Sequence, residues 1–224
     1  MLNADTLTLK DLSCTRGERV LFTGLNSTLT SGQCLHVVGA NGCGKSSLLR
    51  IISGLNTPDD GQILWNDIAS KSQKGFLNNS AFIGHKDALK NELSAIENLR
   101  IYQNINNINK EGSRKDKENQ LDECLNQMQI LDSADLLCQQ LSFGQRRRLA
   151  FARLLLRPYK LWILDEPFTG IDTQGRDIIE QHCMSHLSNG GAIILTHHQS
   201  LKASVFSQHL IELQLDQYSS TRGS

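Results

Sequence analysis

Leu35-His36-Val37-Val38-Gly39-Ala40-Asn41-Gly42-Cys43-Gly44-Lys45-Ser46-Ser47-Leu48-Leu49 is the stretch that decides the fold. Its first four residues make a buried strand, and Leu48, Leu49, Ile51, Ile52 and Leu55 recur at helical spacing, with Gly54 near the end. Between strand and helix, Gly39 to Ser46 reads Gly-x4-Gly-Lys-Ser, a phosphate-binding loop in the setting its chemistry requires. Glycines let backbone N–H groups turn inward around phosphate oxygens with no Cβ in the way. A helix beginning near Lys45 adds the positive end of its dipole. Lys45 is expected to reach the β- and γ-phosphates of ATP, and the Ser46 hydroxyl to bind Mg2+, with Ser47 following at the loop's edge. Cys43 lies inside the loop, beside Lys45 and a helix N-terminus, a setting expected to lower its thiol pKa. Alkylation would then inactivate the protein, and ATP would protect it.

Further along, Leu161-Trp162-Ile163-Leu164-Asp165-Glu166 is an apolar strand that delivers two carboxylates at its C-terminal end, where α/β sheets bind ligands. Asp165 is expected to hold Mg2+ through water, and Glu166 to act as the base that polarises the attacking water. Between loop and carboxylates, Leu141-Ser142-Phe143-Gly144-Gln145-Arg146-Arg147-Arg148 opens a basic helix. Ser142 is a good N-cap, and Gly144 permits close approach.

Outward from these motifs, the N-terminal stretch alternates through Leu7, Leu9, Leu12, Val20-Leu21-Phe22, Leu25 and Leu29, broken by Gly17, Gly24 and Gly32. That pattern predicts short strands joined by glycine turns. Residues 61–65 and 80–83 read as strands. From about 87 to 156 the pattern is helical, with a polar middle at 104–120 read as a solvated helix end or loop, a linker being the weaker option. Strand, helix (175–187) and strand (192–196) follow, then a short tail that frays over 219–224. The sum is an α/β core with a parallel sheet flanked by helices, holding a helical insertion.

The 224 residues carry 23 basic and 23 acidic side chains, so nothing points to a nucleic-acid groove or a polybasic membrane patch. Apolar runs stop at four or five residues, as in Leu161-Trp162-Ile163-Leu164, whereas a membrane span needs roughly 20. The start, Met1-Leu2-Asn3-Ala4-Asp5, lacks the pattern of a secretory signal, so a cytosolic protein is expected. Six cysteines, at 14, 34, 43, 124, 138 and 183, show no Cys-x-x-Cys spacing, which argues against zinc, a dithiol centre and covalent haem attachment.

The motifs taken together, in order over about residues 5 to 215, resemble the ABC ATPases. Leu141 to Gln145 is similar to the family signature Leu-Ser-Gly-Gly-Gln, with Phe143 in place of the first glycine. The resemblance implies a P-loop NTPase of ABC ATPase type, with a mixed sheet core, an antiparallel β subdomain and a helical insertion lobe. Residues 1–224 would form a single ABC ATPase domain, its core about 1–86 and 157–215, its lobe about 87–156. It also implies a homodimer of cassettes, in which Ser142, Phe143, Gly144 and Gln145 meet the ATP held by the partner's phosphate loop. Asp172, after Thr169-Gly170-Ile171, matches the loop that links the two sites.

Other positions depart from the family pattern. Where an aromatic residue stacks on adenine in most members, this chain has Arg16-Gly17, so the Arg16 guanidinium is assigned that place. Where the family has a glutamine near the metal, this chain has His85, whose imidazole accepts from metal-bound water only while neutral. ATPase activity should then fall as pH drops toward 6. Thr196-His197-His198-Gln199 offers two candidates for the histidine that contacts γ-phosphate; aligning the preceding strand favours His198, with His197 second.

Residues 161–172, Ile83-Gly84-His85 and Thr196-His197-His198-Gln199-Ser200-Leu201 resemble one branch in particular, the cytochrome c maturation or haem exporter ATPases. That resemblance implies a separate membrane permease subunit of CcmB type, haem-handling partners, and peripheral attachment at the cytoplasmic face of the bacterial inner membrane. The membrane subunit would dock on the helical lobe near residues 85–93. Another small exporter is the alternative. A soluble ABC ATPase acting on DNA or ribosomes fits less well, because long coiled coils or paired cassettes with a basic linker are missing.

Overall fold

The computed structural model describes residues 4–69, 74–105, 113–198, 201 and 205–219. They fall into two compact units. The first comprises Met1–Gly84, Tyr159–Pro167 and Cys183–Ser224, and the second His85–Pro158 and Phe168–His182.

In the first unit an antiparallel sheet is built from β1 (Thr6–Arg16), β2 (Arg19–Thr30), β4 (Asp60–Trp65) and β5 (Ile68–Ala69), in the order β2-β1-β4-β5. Alternation places Leu7 and Leu9 on the buried face, and a register shift between Leu9 and Leu12 returns Leu12 and Cys14 to it, with Leu29, Leu25 and Phe22 of β2 opposite Leu7, Leu12 and Cys14. The glycine turns expected after each short run are fewer than predicted: Gly24, in left-handed backbone at φ +64, lies inside β2 rather than ending it. Strands β4 and β5 join through Asn66 and Asp67, both with positive φ, as a tight two-residue hairpin requires.

The second sheet of this unit takes β3 (Cys34–Val38), β6 (Ser80–Ile83), β7 (Leu161–Asp165), β8 (Ala192–Thr196) and β9 (Leu210–Gln214), in the order β6-β7-β8-β3-β9. Every pairing in it is parallel, so the antiparallel strands form a sheet of their own rather than mixing into this one. All residues of β7 and β8 are buried, as strands covered on both faces must be. Helix α1 (Lys45–Ile52) packs its Leu48, Leu49, Ile51 and Ile52 into the core shared with Leu35, Val37, Ile163 and Ile194. Helix α2 (Lys74–Asn79) brings Phe76 against Trp65, their ring centroids 5.5 Å apart. Because β3, β8 and β7 are neighbours, their C-terminal ends lie side by side.

The second unit is helical: α3 (Ala95–Ile105), α4 (Arg114–Gln127), α5 (Phe143–Leu155) and the start of α6 (Thr173–Ser188), which runs on into the first unit. Part of the polar stretch read as a solvated helix end or loop is the start of α4. Ser113 caps it, accepting from Asp116 N–H, while Asp116 accepts from Ser113 N–H. Its buried side chains are only Leu121, Cys124 and Leu125. The remainder of that stretch, 106–112, lies outside the described residues, as do most of the tail at 220–224 and Gln199-Ser200. The short tail also holds β9, which pairs with β3 from Cys34↔Leu210 to Val38↔Gln214. In the anchored loop before α3, the buried Asn98 amide donates to the carbonyls of Lys90, Leu93 and Ser94, and its oxygen accepts from Lys90 N–H.

Candidate nucleotide-binding site

The loop from Gly39 to Gly44 leaves β3 and enters α1 through glycines that side chains could not replace. Gly44, at φ +114, is the N-cap and supplies no side-chain bond to the helix start. A Cβ there would stand 3.0 Å from Cβ of Leu21, and one at Gly39 would stand 2.7 Å from Cys43 Sγ. The first turn of α1 contains no acidic residue, so its N–H groups and dipole favour an anion. Ala40, Asn41, Gly42 and Ser46 are exposed and Ser47 is half-buried, whereas Lys45 is buried. Lys45 Nζ lies along the loop, donating to the carbonyls of Gly39 at 2.7 Å and Ala40 at 3.0 Å.

A cavity of about 330 Å3 opens over this loop, lined by Leu21, Gly42, Gly44, Lys45, Ser46 and Glu166 among others. Glu166 therefore shares one concavity with the loop's cation and hydroxyl. Its backbone sits at φ +51, uncommon for a non-glycine residue, and its N–H donates to Thr196 Oγ1 at 2.9 Å. The Thr196 hydroxyl in turn donates to Asp165 Oδ1 at 2.8 Å. Thr196 thus ties the Asp165 carboxylate to the Glu166 backbone from the end of β8, and both it and Asp165 are buried. His198 Nε2 stands 2.8 Å from Glu166 Oε1, with the His198 side chain 50% exposed. Of the two candidate histidines, His198 is the one that reaches Glu166. His197 contributes its carbonyl, which accepts from His36 Nε2 at 3.1 Å.

Beside the loop lies a second cavity of about 500 Å3, lined by Glu18, Arg19, Val20, Asn41, Cys43 and Asp216 among others. Arg16, assigned to adenine from the sequence, is not among its lining residues, and its guanidinium lies at the Asn56 amide. The arginine beside the loop is Arg19, whose guanidinium is 3.8 Å from where a Gly42 Cβ would sit. Asp216, on the short helix Leu215–Tyr218, accepts from Ala40 N–H at 3.0 Å. Neither Thr196 nor Asp216 carries a sequence signal beyond its place next to a strand end.

Cys43 requires a correction. It is buried, and that burial raises its thiol pKa above the usual value; Lys45 lowers it, and Asp216 raises it again. Loss of hydration outweighs the nearby ammonium, so this is not an activated thiolate.

The remaining assigned residues belong to the second unit. Ser142 caps α5, its hydroxyl accepting from Gln145 N–H at 3.2 Å while Gln145 Oε1 accepts from Ser142 N–H at 2.8 Å. Gln145 also donates to Ser133 Oγ at 3.1 Å. Phe143 is 57% exposed, and its ring lies so close to Gly170 that an added Cβ there would come within 2.5 Å of it. Asp172 caps the start of α6, accepting from Gly175 N–H at 2.8 Å, and lies at van der Waals distance from the position of a Gly144 Cβ. His85 is exposed just past the C-terminal end of β6. Arg147 of α5 makes a buried ion pair with Asp87 at 2.8 Å.

A phosphate loop after one parallel strand and a carboxylate pair after another, with an antiparallel sheet ahead of them, define a nucleotide-binding cassette of the P-loop class. A family model described as ABC transporter matches residues 22–169. The "Cytochrome c biogenesis ATP-binding export protein CcmA" of Histophilus somni is 44% identical over 95% of this chain and 94% of its own length. The protein of the same name from Photobacterium profundum is 42% identical over 94% of this chain and 100% of its own. Among solved structures, a putative ABC transporter ATP-binding protein from Pyrococcus furiosus superposes with a TM-score of 0.78 at 22% identity, covering 96% of this chain and 100% of that one. The cassette MJ0796, solved as a dimer in a post-hydrolysis state with ADP and Pi, gives 0.80 at 22% identity, covering 93% and 94%. The chain belongs to the ABC transporter ATP-binding family, on the branch that holds the CcmA proteins.

Proposed function

We propose that this chain is the ATP-hydrolysing subunit of an ABC complex for cytochrome c biogenesis, coupling hydrolysis to haem export or to release of a haem-loaded chaperone. The observation that carries the hydrolytic part is the shared cavity: Glu166 faces the same space as Lys45 and Ser46, with its backbone tied to Thr196 and its carboxylate to His198. The biogenesis part is supported by the names of the relatives that match nearly the whole chain.

In this reading ATP is the substrate. Loop amides and Lys45 bind its phosphates, and the cavity at Arg19, Val20 and Asp216 receives the base and ribose. Glu166 accepts a hydrogen bond from the attacking water and draws its proton as the bond to γ-phosphorus forms. His198, donating to the carboxylate, keeps that acceptor oxygen turned toward the cavity and stands ready to steady the departing phosphate. The oxygens of Ser46 and of the buried Asp165 are hard donors suited to Mg2+. An ion there would be held largely by phosphate and water. Mg2+ there would neutralise phosphate charge.

Ser142, Phe143, Gly144, Gln145 and Asp172 would complete the site of a second protomer, consistent with the dimer solved for MJ0796. Among the described residues no helix is long and apolar enough to cross a membrane. In this reading a CcmB-like permease subunit makes the contact with the bilayer. His85 is assigned to the nucleotide's metal-bound water.

Haem staining of c-type cytochromes in cells carrying Glu166→Gln tests the reading. Loss of every covalent c-type haem band, with b-type cytochromes intact, is the expected outcome. Normal c-type bands would remove the biogenesis role and turn attention to another exporter.

A further inference from the structure

His36 stands in the middle of β3, in register with Leu195 of β8 on one side and Glu212 of β9 on the other, and it is 0% exposed. Its neighbours Leu35 and Val37 join the apolar core beside α1, so strand alternation turns His36 to the opposite face of the sheet. An imidazole there loses its hydration and is tolerated only if it is bonded. It makes one such bond: Nε2 lies 3.1 Å from the carbonyl oxygen of His197. A carbonyl only accepts, so Nε2 carries the proton. Nδ1 is 3.9 Å from Glu212 Oε1, too far for a hydrogen bond. Burial lowers the ring's pKa, with Lys45 acting in the same direction while the His197 carbonyl and Glu212 oppose it.

The bonded carbonyl belongs to the peptide group that joins His197 to His198. That group is planar, so holding its oxygen fixes the direction in which the chain enters His198. The same turn is held at Thr196 by Asp165 and the Glu166 N–H, and it ends with His198 on Glu166 at 2.8 Å. The His36 bond thus holds the turn between Thr196 and the half-exposed His198 side chain.

We propose that His36 is a positioning residue for ATP hydrolysis: its Nε2–H bond to the His197 carbonyl sets the turn that presents His198 to Glu166. The inference rests on the roles proposed above for Glu166 and His198. Since His36 lies in the strand that leads into the phosphate loop, it also ties the placement of that histidine to the strand bearing Lys45's loop.

The test uses the full chain with MgATP and compares His36→Gln with His36→Asn. Both are polar, but only the longer glutamine amide can reach the His197 carbonyl. His36→Asn is expected to lower kcat about tenfold, with KM for ATP within about twofold of wild type, whereas His36→Gln recovers most of the rate. In a His198→Ala background, assayed by single turnover, His36→Asn should cost less than about twofold more, because the two changes break one unit. In NMR spectra the His198 ring resonance should move in His36→Asn and return in His36→Gln. An unmoved resonance, equal rates for the two variants, or the same tenfold loss in the His198→Ala background would overturn the proposal. Wild-type hydrolysis by His198→Ala alone would instead sink the role given to His198, and the resonance comparison would still decide whether His36 sets that ring's place.

Discussion

Gly170 and Phe143 are a matched pair. The signature's first glycine has become a large exposed ring, and that ring occupies the space a side chain at Gly170 would need. Gly170 also holds φ +72, a left-handed backbone that alanine adopts with strain. Gly170→Ala should therefore lower unfolding stability by about 1 to 2 kcal/mol. Adding Phe143→Ala should recover the steric share and leave the backbone share, a non-additivity that denaturant titration of the double mutant would expose. Cys43 gives a second expectation at this scale. Because burial raises its thiol pKa, alkylation at neutral pH should run slower than for a free thiol and accelerate as pH climbs past 9, read by mass spectrometry of the loop peptide. Rapid labelling at pH 7 would contradict the buried environment. The sequence could present Lys45, Ser46, Asp165 and Glu166 as candidates because their spacing is local and their strand or helix context is visible. Thr196, Asp216 and Arg19 reach the loop or the carboxylates only through strand register and chain return, which no local pattern encodes.

The C-terminal turns of α6 are fastened to β7 by an aromatic stack, Trp162 against His186 at 4.0 Å with the rings 6° from parallel. His186 Nε2 also donates to the Ala192 carbonyl at 3.2 Å, and any side chain at Gly191 would collide with the ring. Burial lowers the His186 pKa to about 4, the bond to Ala192 opposing that shift. A depressed folded pKa on a base means that the unfolded chain takes up the proton first. The neutral ring's contribution is thus fully present above the unfolded value of roughly 6.5 and is lost as pH falls from there to about 4. The slope is at most about 1.4 kcal/mol per pH unit. His186→Phe, which keeps the stack and cannot titrate, should flatten the fall in urea midpoint over that window. An equal slope in both proteins would assign the acid sensitivity elsewhere. Element by element, segments with strong apolar periodicity were readable, including β3, α1, β7 and β8. For α4 the helical pattern left only the start open, because Leu121, Cys124 and Leu125 are too few to mark a face and its Ser113 cap stands in a polar run. Strand β9 was missed because Leu210-Ile211-Glu212-Leu213 is short and stands in a stretch that otherwise looks like tail.

For the whole molecule, the proposed cycle needs two copies of the chain. Glu166→Gln should bind ATP without hydrolysing it and accumulate as a dimer, seen as a mass doubling in light scattering when MgATP is added, while Lys45→Ala should stay monomeric through weakened phosphate binding. A monomeric Glu166→Gln protein saturated with ATP would refute the two-copy cycle. The helical pattern predicts a lobe over about 87–156, and the second unit also takes in Phe168–His182, which lies beyond that stretch in the chain. The Ala40–Asp216 bond described at the phosphate loop spans 176 positions of chain. Closing so long a loop costs entropy before any contact repays it, so β9 docks on β3, and the Asp216 carboxylate that follows it on the loop, among the slow events of folding. The wall of the nucleotide cavity is then a late product of that search. A ligand that favours the finished cavity stabilises chains that have completed it over those that have not, so ATP would act on this protein as a selector of completed molecules as well as a fuel.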